Sequence, residues 1–434
     1  MSARSEPDGP GGRSRRALRP VPRDRVIDAL RAYAIGGVVL GHWLVTALVL
    51  TGDGALRTAS PLAAMPALAP ATWLLQTLGL FFFTAGYAAT RSLAGYPHGA
   101  GRWLARRLGR LLRPALALLG VGSGLLLAAI VLGTPDDTLT VAVTLAVSPL
   151  WFLLPLVALS ALTGPLRAAV RRWGALRCAA PAVAVVAGAD LAARVLPAAP
   201  GRLPVTLLAA WAVPWLLGIA HADGRLAEAR PAAGLTAAGG VALVGLVAVG
   251  YPVSAVGVPG AGWSNLHPPS LFAVALGVGQ IGLALLVRPA LARLLDRPGP
   301  ARLVAVVNRE AMGVYLWHQP VLVAVTATTA HLGPALPGLH TAPAGPGWVA
   351  ARICWLPLFV LVLAALLAPR RPPPGGPVGA APPAAGWPTG GTVTTGRPSA
   401  VGWRGGCTMT PVCGPHHARH AGAPPTPGGD RCAR

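Results

Sequence analysis

The chain has 434 residues, 53% of them hydrophobic and 11% charged, with a mean hydropathy of +0.58 and a formal charge of +23. That balance excludes an ordinary water-soluble domain and points to a polytopic membrane protein. All 36 basic residues are arginines, a bias that matches the Ala, Gly and Pro richness, and they sit between apolar runs, so topology accounts for them better than nucleic-acid binding.

The expected fold is all-α: an integral membrane helical bundle of about ten transmembrane helices with both termini cytoplasmic. Residues 1–25 are polar and rich in Gly, Pro and Arg, and read as a disordered cytoplasmic segment. The apolar run that follows is too long for the core of a signal peptide and shows no small-residue cleavage site, so it reads as an uncleaved first helix. Residues 26–369 form the membrane domain, with spans expected near 26–50, 68–90, 111–132, 140–163, 178–197, 204–220, 235–252, 270–288, 303–327 and 348–368. Residues 370–434, rich in Pro and Gly, read as a disordered cytoplasmic tail.

The loops support this count. One set carries Arg91, Arg102, Arg106, Arg107 and Arg110, then Arg167, Arg171, Arg172 and Arg177, then Arg225 and Arg230, then Arg288, Arg293, Arg297 and Arg302, then Arg370 and Arg371. The alternate set holds only Arg57 and Arg202, against Asp53, Asp136 and Asp137. Such alternation follows from an even number of spans with both ends inside.

Within the first span, Arg31 and His42 are eleven positions apart, about three turns, and so share one face roughly 16 Å apart in depth. Charged or titratable groups there are costly unless they line a polar cavity or find partners. The plainer reading pairs Arg31 with Asp28 and gives His42 to a neighbouring carbonyl. His318, in YLWHQP, lies fifteen residues from Leu303, and His42 sixteen from Val26, so both come to about 22–24 Å depth and could meet in one cavity. Two separately bonded histidines are the alternative. FFFTAGY at 81–87 reads as close helix packing by small residues. The run Arg106–Pro114 reads as a topology signal, or as guanidinium forks for phosphate or lipid head groups.

The remaining features are read more plainly. Asp190 and Arg194 form an i,i+4 pair, more structural than catalytic. The uncharged stretch 251–270, with Trp263, Asn265 and His267, suits a sugar-like ligand or ordinary interfacial anchoring. Cys178 and Cys354 read as small apolar packers. Cys407, Cys413 and Cys432 accompany His416, His417 and His420 at spacings that match no standard zinc site, and no metal is expected.

Together these residues resemble the type-3 membrane acyltransferases, the O-acetyltransferase-like integral membrane family. Arg31 and His42 match that family's Arg-x10-His signature. FFFTAGY resembles its Phe-Phe-(small)-Gly-(aromatic) element, Arg107-Leu108-Gly109-Arg110 its Arg-x-x-Arg element, and YLWH at 315–318 its late Tyr-Leu-Trp-His stretch. Ser264–Pro269 resembles the Asn-x-x-Pro-Pro loop of some members. Ala85, Arg113 and the long tail depart from the pattern without touching the Arg-x10-His pair.

The resemblance implies transfer of an acyl group, commonly acetyl, from cytoplasmic acyl-CoA to a hydroxyl of an extracytoplasmic carbohydrate or related cell-envelope or secreted acceptor, in the plasma (inner) membrane. His42 would be the catalytic imidazole, as general base or transient acyl carrier. Arg31 would meet the donor, and Arg107 and Arg110 would hold the phosphates of the coenzyme, a donor substrate rather than a resident cofactor. His318, Tyr315, Trp317 and Asn265 are candidates for the acceptor site. The rival expectation is a proton-coupled transporter or flippase using Arg31 and His42, which would call for internal repeats and broken helices; a family relative without chemistry is the third.

Overall fold

Asp24 begins the first helix as a cap: its carboxylate accepts from the backbone N–H groups of Val26 and Ile27, and α1 runs over Arg25–Val45. The computed structural model describes residues 24–195, 202–331 and 333–368; the expected terminal segments, 1–25 apart from its last two residues and 370–434 with its Cys and His cluster, lie outside the described residues.

The first span ends at Val45 rather than Leu50, because the next residues turn into a hairpin. Ala47–Leu50 (β1) pairs antiparallel with Leu56–Ala59 (β2), Ala47 opposite Ala59 and Leu50 opposite Leu56. The turn between them, Thr51-Gly52-Asp53-Gly54, uses Gly54 at φ 78° and the Asp53 carboxylate, which accepts from Thr51 Oγ1 and Ala55 N. The bundle is therefore helical with one small sheet.

The second span is broken. A 3₁₀ turn, Pro66–Ala71, follows α2 (Pro61–Ala64) and leads into α3 (Thr72–Leu75); Gln76 and Thr77 interrupt the path, and α4 (Leu78–Ala94) completes it. Next, α5 (Ala100–Val131) is 32 residues long and starts eleven residues before the expected third span, so the arginines from Arg106 to Arg113 lie on a helix. Its Leu116, Val121, Leu125, Leu127, Ile130 and Val131 are exposed, the apolar face a lipid would cover.

The expected fourth span is α6 (Asp136–Val147), a 3₁₀ turn (Ser148–Phe152) and α7 (Leu153–Ala161). The amphipathic α8 (Thr163–Trp173) precedes α9 (Ala175–Val195), α10 (Arg202–Ala222) and α11 (Ala229–Ala248). Then α12 (Leu271–Leu286) bends by 60° into α13 (Arg288–Leu294), and α14 (Pro298–Arg309), α15 (Ala311–Ala330) and α16 (Pro346–Leu367) close the described chain. The span expected to start at Leu303 starts at Ala311, because Glu310 separates α14 from α15.

Among the described residues, seven runs are long and apolar enough to cross a membrane, or eight if α12 and α13 count as one. At 21 and 20 residues, α1 and α15 have the length but fall outside that set, since they carry Arg31, His42, His318 and Gln319.

Glycines set the tightest seam, between α4 and α10. A Cβ on Gly218 would stand 2.2 Å from the Phe83 carbonyl oxygen, and one on Gly86 would stand 2.5 Å from that of Trp215. FFFTAGY thus packs as small residues in membrane helices do. Arg352 on α16 is fully buried: its guanidinium donates to the carbonyls of Trp43, Gly338 and Thr46, and it stacks on Trp348 and Phe359. It thereby caps the end of α1, where carbonyls lack helical partners. Cys178 packs half-buried on the core, while Cys354 is exposed on α16.

Candidate active site

Two hydrogen bonds stitch α1 to α15 at one level. Trp43 Nε1 donates to the His318 carbonyl at 2.9 Å, and the Gln319 amide lies 3.0 Å from His42 Nδ1. Between them the two imidazoles meet, with ring centroids 5.1 Å apart. His42 therefore has a side-chain amide as partner rather than a carbonyl of the backbone.

The two histidines differ in access. His318 is fully buried; its Nδ1 donates to the Tyr315 carbonyl at 2.6 Å, which leaves Nε2 to carry the lone pair in the neutral ring. That Nε2 has no partner among the described residues. His42 as a residue is half-buried, the less enclosed of the two.

Aromatic rings surround this pair. Tyr315 lies 5.9 Å from His318, packs against Phe152 at 4.1 Å and stacks on Phe81 at 6.2 Å. His267, from the segment between α11 and α12, packs edge-on against Trp151 and comes within electrostatic reach of His42. An apolar wall of this kind excludes water and strengthens any hydrogen bond made inside it.

The arginines gather nearer the start of α1. Arg31 Nε donates to Asn308 Oδ1 at 2.5 Å, and its NH2 donates to Asp28 Oδ1 at 3.1 Å. Asn308 is itself fixed, donating to the carbonyls of Asp28 and Val304. Arg107, half-buried, donates to Ser160 Oγ at 2.9 Å and lies over the Trp103 ring. It feels the charges of Arg31 and Arg110, so guanidiniums from α1 and α5 share one neighbourhood. Arg110 is exposed.

Two candidates stand apart. Asn265 is fully buried and builds its own loop: its amide donates to the carbonyls of Pro252 and Ser254, and its Oδ1 accepts from Ser270 Oγ. Both amide hydrogens are thus engaged within the loop. Trp317 packs half-buried against the core, and the ring beside His318 is that of Tyr315, itself packed on Phe152 and Phe81. Asp190 and Arg194, expected as a pair, instead serve that loop through separate partners. Asp190 accepts from Tyr251 Oη and Leu271 N, while Arg194 lies over the Tyr251 and Trp263 rings.

Sequence reading passed over Asn308 and Gln319. An uncharged amide beside a break between helices, and another next to a membrane histidine, were the available signals; neither discloses its partner without the pairing of α1 with α14 and α15.

Fold and site define a helical membrane protein that encloses paired imidazoles between its first and fifteenth helices, with arginines at one end of that seam. Residues 24–370 match the model of an acyltransferase domain, and the chain belongs to that family, the type-3 acyltransferases. No curated protein and no solved structure matches it.

Proposed function

We propose that this acyltransferase moves an acyl group, commonly acetyl, from cytoplasmic acyl-CoA to a hydroxyl on an extracytoplasmic carbohydrate or related cell-envelope or secreted acceptor. The observation that carries the reading is the shared face of α1: Arg31 near the arginine cluster and, about 16 Å along, His42 beside His318. An extended pantetheine arm spans a distance of that order, so the phosphates can stay with Arg31, Arg107 and Arg110 while the thioester reaches His42. The full count of ten spans, with α1 and α15 included and both termini cytoplasmic in the plasma membrane, belongs to this proposal.

As general base, His42 takes the proton of the acceptor hydroxyl as its oxygen attacks the thioester carbonyl. The C–S bond then breaks, and the departing thiolate takes the proton. As a nucleophile, the same imidazole would hold the acyl group before the acceptor arrives. Rapid quenching with labelled acetyl-CoA separates the routes, because only the second leaves label on His42.

The test uses protein in lipid vesicles, radiolabelled acetyl-CoA and a cell-envelope extract as acceptor. Label capture and free-CoA release that vanish in His42→Ala and weaken in Arg31→Ala support the proposal. Wild-type capture untouched by His42→Ala overturns the assigned centre. Broken helices at Gln76–Thr77 and at α12–α13 also suit a transporter. However, Arg288 at the second break is bound to Asp24 and His221.

A further inference from the structure

Gln319 is buried, follows His318 on α15, and places its Nε2 3.0 Å from His42 Nδ1, while its Oε1 has no partner among the described residues. A buried amide carbonyl left idle is costly. The two ends of the amide are nearly isosteric, and a half-turn about Cγ–Cδ brings Oε1 to the same nitrogen. The two orientations select different tautomers. With the NH2 donating to Nδ1, a neutral His42 carries its proton on Nε2 and offers no base there. With Oε1 accepting, the proton sits on Nδ1 and Nε2 holds the lone pair.

We propose that Gln319 is the positioning residue of the site: its amide carbonyl holds Nδ1–H of His42 and so presents Nε2 as the base. The role of that base rests on the acyltransferase reading above; the contact to His42 does not. Other groups at this level cannot take the task. His318 spends Nδ1 on the Tyr315 carbonyl, and Arg352 from α16 is committed to the carbonyls of Trp43, Gly338 and Thr46. His267, from the 251–270 segment, packs on Trp151 and makes no hydrogen bond to His42 among the described residues. Tyr87 of α4 and Arg288 of α13 converge on Asp24 at the other end of α1, and Arg31 lies three turns away. A neutral carbonyl orients the ring without locking it as imidazolium, as a carboxylate in an apolar seam would.

The experiment compares wild type with Gln319→Leu and Gln319→Glu in vesicles, following CoA release from acetyl-CoA with envelope extract as a function of pH. Gln319→Leu lowers kcat by about 10–100-fold and leaves KM for acetyl-CoA within roughly twofold. Gln319→Glu regains much of that loss at alkaline pH, but its acid limb moves upward by about one pH unit or more, because a carboxylate beside an imidazole favours the cation. In parallel, diethyl pyrocarbonate labelling of the His42 peptide, read by mass spectrometry, reports the neutral ring without any turnover. Its onset shifts upward in Gln319→Glu by a similar amount.

A wild-type kcat in Gln319→Leu overturns the proposal, as does an unshifted labelling onset in a folded Gln319→Glu protein. A silent wild type in the CoA assay bears on the acyltransferase reading alone, and the labelling onset still decides for or against Gln319.

Discussion

The seams α4–α10 and α1–α15 are built on opposite principles. Between α4 and α10, Gly86 and Gly218 bring backbones within contact distance, and Phe82 stacks on Trp211 at 5.2 Å. Shape complementarity holds that seam. The α1–α15 seam is held by directed bonds, Trp43 to the His318 carbonyl and Gln319 to His42, and it leaves His318 Nε2 buried and idle. Close packing supplies a rigid wall, whereas the hydrogen-bonded seam keeps polar atoms where a substrate can use them.

Breaking the first seam has the largest effect. In Gly218→Val the new Cβ would meet the Phe83 carbonyl at 2.2 Å, and backbone cannot yield as a flexible side chain can. The cost lies at or above the ~1–3 kcal/mol typical of overpacking. Little monodisperse protein survives in detergent, and what does melts well below wild type. Recovery of wild-type yield and melting temperature would show that the seam is loose.

The second seam responds in rate rather than fold. His42→Ala keeps the Trp43 bond and the Arg352 cap, so yield and melting temperature stay near wild type, while CoA release falls by about 10²–10⁴. If the rate stays within threefold, the chemistry lies elsewhere.

Both seams were partly legible in the sequence. The 3.6-residue period and the rise per residue put His42 and His318 at one level, and their rings do meet, although the span begins at Ala311 rather than Leu303. The Arg31–Asp28 contact follows from i,i+3 spacing alone. The glycines of α4 announced close packing but not the partner helix. Hydropathy blurs breaks within a span, so the interruption at Gln76–Thr77 and the early start of α5 stayed hidden. The strand Ala47–Leu50 was absorbed into the first span because ALVL is as apolar as a helix end. Arg352 looks like a stray charge until three carbonyls converge on it from different segments.

A smaller effect tests the other end of the polar seam. Arg31→Ala raises KM for acetyl-CoA by about tenfold, the value of one charge-assisted contact, with kcat less affected. Because phosphate contacts at this half-exposed site are screened by ions, the defect shrinks at high salt. A pure kcat defect with unchanged KM would instead move Arg31 toward the reacting atoms.

The smallest change separates holding Arg31 from supplying its charge. Asn308 accepts from Arg31 Nε at 2.5 Å while donating to the carbonyls of Asp28 and Val304, so it fixes the guanidinium from α14 as Asp28 does from α1. Removing either partner leaves the charge in place on a looser side chain. Asn308→Ala therefore raises KM for acetyl-CoA by roughly twofold to fivefold, within the ~0.5–1.5 kcal/mol of a typical hydrogen bond. The Asn308→Ala/Asp28→Asn double variant loses more than the sum of the two, since each single variant still leaves one anchor. In an Arg31→Ala background the same substitutions have almost no further effect on KM. A full Asn308 effect there would mean that Asn308 acts on the donor itself or on the seating of α14, and the two ends of the polar seam would no longer be joined through Arg31.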